Sequence, residues 1–358
     1  MKKVAILTIN DITNFGNRLQ NYALQKVLEE LNFDVTTLEN KDMFLNSSIA
    51  QRIRTKLGDM VKMLSSKPEH KRYLSFIKFE QYINNYKTII NSNNFPKKII
   101  NLFDYFITGS DQVWNPTFGR LSYIDLLSFV DSSERISYAA SFGINKLPHE
   151  FVDKTAKELK QFKSISVRED RGKEIVEELT GRNDIEVLID PTMLLSLEEW
   201  EKVSKKPKML KYNKFILNYF LGEVSDERRS EIERIAKENN CVIIDILDKN
   251  SPFYECGPSE FLYLEKNAFL ICTDSFHSSV FAILFNCPFI IFDREDKEEK
   301  MNSRLDTLIN KFKLKNRKFE GKITEENLNH DYSEAYKILE EERKKSEAFL
   351  KNALDIKD

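Results

Sequence analysis

The residues best suited to chemistry gather where apolar runs end. The densest group is Thr273-Asp274-Ser275-Phe276-His277-Ser278-Ser279, where a strand-like run closes and an apolar helical run opens. That places His277 near a helix N-terminus, whose backbone N–H groups and dipole favour anions. An imidazole changes charge near neutral pH, so His277 is a candidate acid–base group; the plainer alternative is a structural histidine. Ser275 and Ser278 add hydroxyl donors. Farther on, Arg294, Lys297 and Arg304 are cations able to neutralise a phosphate, or else solvated charges at helix ends.

A second group follows the apolar run Phe103–Thr108: Gly109-Ser110-Asp111-Gln112-Val113-Trp114-Asn115-Pro116. Gly109 permits a tight turn, and Asp111 is placed to take a proton from an attacking hydroxyl. Gln112 and Asn115 offer amides, and Trp114 offers an apolar plate of the kind sugars stack on. In the competing reading Trp114 is core and Asp111 a helix cap. Earlier, one turn carries Asn10, Asn14, Asn17 and Gln20 with Gly16 as its one glycine, so a dinucleotide pyrophosphate has no ready cradle. Asn17 and Gln20 share a helix face, and side-chain amides both donate and accept, which suits a polyhydroxylated ligand. Capping and turn formation account for one or two of the four. Arg168, just past the run Lys163–Val167, has the planar fork that binds phosphate or carboxylate. Its structural use is an ion pair with Glu169, Asp170 or Asp190.

These residues need elements to hold them. Continuous apolar runs alternating with helical patterns mark parallel sheets covered on both faces. Val4–Ile9, Phe103–Thr108, Arg135–Ala140, Lys163–Val167 and Ile185–Ile189 make one set; Lys214–Phe220, Cys241–Ile246, Ala268–Thr273 and Cys287–Phe292 make another. Helices are expected at Asn17–Leu31, Ser225–Asn239, Pro258–Lys266 and His277–Phe285. The predicted fold class is α/β, with two Rossmann-like doubly wound domains facing a cleft. The N-terminal domain covers residues 1–195, and the C-terminal domain residues 196–330. Ligands of such sheets bind beyond the carboxyl ends of the strands. Residues 331–358 form a charged helix suited to packing back on the first domain. A helical insertion is expected at about 44–95. Within it, residues 49–72 read as a basic amphipathic helix that either touches an anionic membrane surface or covers the sheet with a solvated face.

At 358 residues, 41% hydrophobic and 31% charged, the composition is that of a globular two-domain protein. A net charge of -2 supplies no global field for nucleic acid. No run reaches the roughly 20 apolar residues that span a bilayer, and Met1–Ile9 reads as a buried strand. The expected location is the cytoplasm, with peripheral contact at the inner face of the membrane as the one membrane role. Cys241, Cys256, Cys272 and Cys287 form no C-x-x-C pair and are expected as reduced, buried thiols. The scattered histidines show no zinc spacing, so neither metal nor cofactor is expected.

Taken in order, several of these segments resemble the polysaccharide pyruvyl transferase family. They are Asn14-Phe15-Gly16-Asn17 with Leu19-Gln20 and Tyr22-Ala23-Leu24, the Gly109–Asn115 stretch, and Ser166-Val167-Arg168-Glu169. Asp190-Pro191-Thr192, Asp274-Ser275-Phe276-His277-Ser278 and Ser303-Arg304 continue it to about residue 317. The resemblance implies a GT-B-like fold and transfer of pyruvate from phosphoenolpyruvate to two hydroxyls of one sugar. The product is a cyclic ketal on a cell-surface polysaccharide or its lipid-linked oligosaccharide precursor, with release of phosphate. Carried onto this chain, His277 and Arg168 match positions expected to hold phosphoenolpyruvate. The residue-level reading adds Ser275, Ser278, Arg294 and Arg304 on the donor side. It places Asn14, Asn17, Gln20, Gln112, Trp114 and Asn115 on the acceptor side, with Asp111 and His277 catalytic. One departure stands out: well-studied family members carry an arginine two places before the histidine, where this chain has Ser275. Either Arg294 or Arg304 replaces that cation, or the donor differs. A GT-B glycosyltransferase using a nucleotide-sugar, and a non-catalytic carbohydrate-binding protein, are the competing readings.

Overall fold

The computed structural model describes residues 1–11, 13–40, 67–88, 90–92, 95–294 and 303–357. The chain divides into two compact units. One takes in Met1–Val61, Glu80–Leu195 and Glu341–Asp358, the other Lys62–Phe79 and Ser196–Glu340. In chain order the described helices begin with α1 (Phe15–Glu30), α2 (Pro68–Phe79), α3 (His149–Leu159), α4 (Asp170–Thr180) and α5 (Leu197–Val203). They continue with α6 (Asp226–Glu238), α7 (Pro258–Asn267), α8 (Phe276–Leu284), α9 (Ser303–Lys311), α10 (Glu325–Leu328) and α11 (Ser333–Ala353).

The first unit is built on a parallel sheet of β1 (Lys3–Leu7), β2 (Asp34–Leu38), β3 (Tyr105–Thr108), β4 (Arg135–Ala140), β5 (Ser164–Val167) and β6 (Glu186–Val187). Its order is β2-β1-β3-β4-β5-β6. Every residue of β4 is buried, as a strand covered on both faces must be. One face packs Phe106, Trp114, Phe142 and Ile165 into a common cluster. The other joins Val4, Ile6, Tyr105 and Ile107 to Phe349, Leu350, Ala353 and Leu354 from the C-terminal segment. The strand β2 went unread in the sequence because Asp34-Val35-Thr36-Thr37-Leu38 lacks a continuous apolar run. Burial of Thr37 is compensated by a hydrogen bond from its hydroxyl to Asn21 Oδ1 (2.9 Å). Strand order reverses between β1 and β3, so the loops leaving those two strands diverge there.

The second unit carries β7 (Phe215–Tyr219), β8 (Val242–Asp245), β9 (Leu270–Thr273) and β10 (Phe289–Ile291), all parallel, in the order β10-β9-β7-β8. Its reversal point lies between β7 and β9. The helix α8 that follows β9 is buried along its whole length, as its all-round apolar sequence demands. The helix α2 also belongs here. Lys71 pairs with Glu255 (2.7 Å) and Arg72 Nη1 donates to Tyr254 O (3.1 Å). At Gly257 an added Cβ would lie 2.7 Å from Ser75 O, so only glycine lets this helix seat so closely.

Of the expected basic amphipathic helix at 49–72, residues 49–66 lie outside the described residues. Arg72 departs from that expectation: it is buried, with its guanidinium over the rings of Phe76 and Tyr254 (5.2 and 5.1 Å). Stacking on two aromatic faces replaces the water a solvated face would have given it. Among the described residues no helix is long and apolar enough to cross a membrane.

Candidate functional site

In the first unit, the loops leaving β1, β3, β5 and β6 converge on one buried polar network. Arg168 is its centre: Nη2 donates to Asp111 Oδ1 (2.9 Å) and Nη1 to Asp190 Oδ2 (2.8 Å). Asp111 also accepts from its neighbour Gln112 N (2.9 Å) and from Asn17 Nδ2. Asp190 accepts from Ser110 Oγ (2.8 Å) and from Thr192 N and Oγ1 (3.1 and 2.8 Å). Burial works against the charge of Arg168, but Asp111, Asp190 and Glu169 more than offset it and raise its pKa. Arg168, Asn17 and the Gln112 N–H each donate to the Asp111 carboxylate, as suits an ionised acceptor. The site therefore holds a fixed carboxylate at the carboxyl edge of the sheet, beside the strand-order reversal.

The local backbone is built for this. Gly109 has φ +119°, and a Cβ there would sit 2.2 Å from Tyr138 O. Asp111 itself lies in the left-handed region, at φ +66°, a conformation that its short polar side chain tolerates better than most. Asn14 caps α1, accepting from Asn17 N (3.3 Å), and thereby fixes the turn from which Asn17 reaches Asp111.

In the second unit, Asp274 follows β9 and bonds across the reversal point. Its Oδ1 accepts from Leu221 N (2.7 Å), and its Oδ2 from Gly222 N (2.8 Å) and Arg294 Nε (2.9 Å). Thr273 Oγ1 donates to Tyr219 O (2.7 Å) and accepts from Ser275 N (3.0 Å). Ser275 then caps α8, placing His277 in its first turn, with no acidic residue there to oppose an anion. The His277 ring lies edge-on to Phe276, with centroids 5.3 Å apart. Arg304 opens α9 in the same unit and is largely buried. Lys297 lies outside the described residues.

One expectation from the sequence gives way, and several other candidate residues have partners inside the protein. Trp114 is fully buried against Phe142 and Phe162 (5.2 and 5.8 Å), so it is core and not a sugar plate. Arg168 is buried inside the first unit and bonds two carboxylates, Asp111 and Asp190, the ion pair that was its structural alternative. Gln20 and Asn115 line no acceptor surface: both are buried and their amides are engaged. Gln20 links Thr8 Oγ1 (2.6 Å) to Ser110 N (3.0 Å). Asn115 donates to Gln112 Oε1 (2.7 Å) and accepts from Thr117 N (2.9 Å). Ser278 Oγ donates to Glu265 Oε1 (2.6 Å). Asn17 and the Gln112 N–H bond the Asp111 carboxylate, Asn14 caps the helix that carries Asn17, and Arg294 bonds Asp274. Cys256, Cys272 and Cys287 are buried free thiols, while Cys241 is half-buried.

Sequence reasoning missed Asp274 and Glu265 as organising groups, and it named Asp190 only as one of three alternative ion-pair partners of Arg168. The signals existed. Asp190 follows a strand-like run next to the one that ends at Arg168, a spacing that allows a buried pair. Glu265 falls on the apolar stripe of α7, four residues after Phe261.

No curated protein matches the chain. Among solved structures, it is similar to the UDP-GlcNAc 2-epimerase of Methanocaldococcus jannaschii, with 15% identity, a TM-score of 0.51, and coverage of 95% of this chain and 92% of that one. It is also similar to the UDP-GlcNAc 2-epimerase of Neisseria meningitidis bound to UDP-GlcNAc, with 10% identity, a TM-score of 0.51 and 99% coverage of each chain. Identities this low speak for the fold alone, two Rossmann-like sets of the GT-B type. The sequence itself goes further. The loops that carry Asn17, Asp111, Arg168, Asp190 and His277 all fall within residues 14–296, which match the model of one family. On that match, the chain belongs to the polysaccharide pyruvyl transferase family.

Proposed function

We propose that the chain transfers the pyruvyl group of phosphoenolpyruvate to two hydroxyls of one sugar, giving a cyclic ketal and releasing phosphate. The observation that carries this reading is the family match over residues 14–296, with His277 in the first turn of an anion-favouring helix. The donor is assigned to the second unit. There the amides of α8, with Arg294 and Arg304, oppose the charge of phosphate and carboxylate. The acceptor sugar of a cell-surface polysaccharide or its lipid-linked precursor is assigned to the first unit, with Asp111 held by Arg168 and Asn17.

In the first step a sugar hydroxyl attacks C2 of the enol while Asp111 takes its proton, and His277 delivers a proton to the methylene carbon. The C2–O bond to phosphate then breaks with its electron pair on oxygen. A second hydroxyl closes the ring on C2, and its proton leaves with phosphate. Guanidinium and amide groups oppose the developing charge, so these steps call for no cofactor.

The test is mass spectrometry of lipid-linked oligosaccharides incubated with phosphoenolpyruvate, seeking an added carboxyethylidene group alongside released phosphate. Replacing His277 by alanine is expected to slow phosphate release by at least about 100-fold. Full activity in that variant would remove His277 from the reaction. The rival reading, a nucleotide-sugar donor, predicts thermal stabilisation by UDP- or GDP-sugars and none by phosphoenolpyruvate.

A further inference from the structure

Asp274 is bonded from three sides at the strand-order reversal of the second sheet. Its partners are the Leu221 and Gly222 amides (2.7 and 2.8 Å) and Arg294 Nε (2.9 Å). Successive backbone amides beside a guanidinium are the donor set of an anion site, and here the chain's own carboxylate occupies it. Asp274 is only 5% exposed, so this is no water-screened rim pair.

We propose that Asp274 is the positioning residue of the donor site. By holding Arg294 at Nε, it fixes the place of that guanidinium in the second unit. Through the 221–222 amides, it sets the loop after β7 against the turn that carries His277. Arg294 thereby becomes the cation that stands in where this chain has Ser275. The inference rests on the assignment of phosphoenolpyruvate to the second unit.

The assignment has a sign that distinguishes it from a simple charge effect. Asp274→Asn removes a negative charge beside a polyanionic ligand. If the carboxylate mattered only as charge, the variant would bind phosphoenolpyruvate more tightly. A positioning carboxylate gives the opposite result. Asparagine has one acceptor oxygen for three donors, so its amide nitrogen must face at least one N–H group and the arrangement that holds both the 221–222 loop and Arg294 is broken.

The experiment is calorimetric titration of phosphoenolpyruvate into the full chain, its Asp274→Asn variant and its Arg294→Lys variant, each checked for a native melting transition. The wild type is expected to bind. Each variant should bind about tenfold more weakly or worse, the scale of one lost charge-assisted hydrogen bond. The double variant should be little worse than the weaker single, since the two side chains act as one unit. Equal or tighter binding by Asp274→Asn overturns the proposal. Should that variant fail to fold, Arg294→Lys decides, because lysine keeps the charge but cannot hold Asp274 and a ligand fork together. Unchanged affinity there also overturns the proposal. No binding by the wild type would overturn the proposed reaction itself, and this assignment with it.

Discussion

At the scale of single residues, the first unit's site is an arginine between two carboxylates. Arg168 bonds Asp111 and Asp190 at 2.9 and 2.8 Å, with side-chain exposures of 1%, 7% and 0%. A buried pair is weak evidence for stability while intact, because its attraction is largely cancelled by desolvation. Losing one partner is different, since it strands the others without water. Arg168→Met keeps most of the side-chain volume and leaves two carboxylates facing each other. It is expected to cost the first unit about 3–5 kcal/mol, read as a drop in the denaturant midpoint. A loss no larger than about 1 kcal/mol would mean that water already screens the triad. Sequence reasoning stated the ion pair to Asp190 as the structural alternative for Arg168. It had no means of choosing, because a fork that fits a ligand carboxylate fits an aspartate equally well. Trp114 was misread for a related reason. Whether an indole after a strand faces solvent or core depends on where Phe142 and Phe162 come to lie, residues far away in the chain.

At the scale of elements, each sheet sets a bonded carboxylate, Asp111 or Asp274, beside the point where strand order reverses and adjacent loops part. This much was legible from the alternation of apolar and helical runs, and the strands lie where those runs were, trimmed at their ends. The missed strand β2 shows the limit. Its Thr36 and Thr37 are good strand residues, but the buried amide partner of Thr37 comes from α1 and is invisible in the local pattern. The loop after β3 offers a sharper test of how elements hold the site. Gly109 approaches the backbone of β4 so closely that a Cβ would meet Tyr138 O at 2.2 Å. Gly181, the C-cap of α4, also has positive φ (+73°), but nothing lies within 4 Å. Gly181→Ala is therefore expected to cost about 1 kcal/mol, the conformational penalty alone. Gly109→Ala adds a backbone collision and should cost at least about 2 kcal/mol more, with displacement of Asp111 and lost transfer activity. Equal midpoints for the two variants would show that β4 yields to the extra carbon.

At the scale of the whole molecule, stability and the site meet in the second unit's core, where the fully buried helix α8 both packs the interior and carries His277. Beneath its first turn, Glu265 is fully buried. Oε1 accepts from Ser278 Oγ at 2.6 Å, and Oε2 has no hydrogen-bond partner among the described residues. Burial pushes its carboxyl well above the ordinary range, and the Ser278 bond opposes this only in part. The groups around it do not compensate. Burial likewise raises Tyr219, and pushes the Cys287 thiol up to about 12 with a further contribution from Glu265. Both neighbours are neutral at pH 7, and neither gives Glu265 a positive charge to pair with. The sign of the linkage follows. Below the ordinary glutamate pKa of about 4.3, the folded and unfolded chains both hold the proton, and pH has no effect through this group. Above it, the unfolded chain releases the proton while the folded chain keeps it, so stability falls as pH rises until the folded group itself ionises. Glu265→Gln has no proton to lose and can still accept from Ser278. Its melting temperature relative to the wild type should therefore climb between pH 5 and pH 8. A gap that stays constant across that range would mean that Glu265 is ionised in the native state. The core beneath His277 would then have to contain a counter-charge or water that its neighbours do not supply.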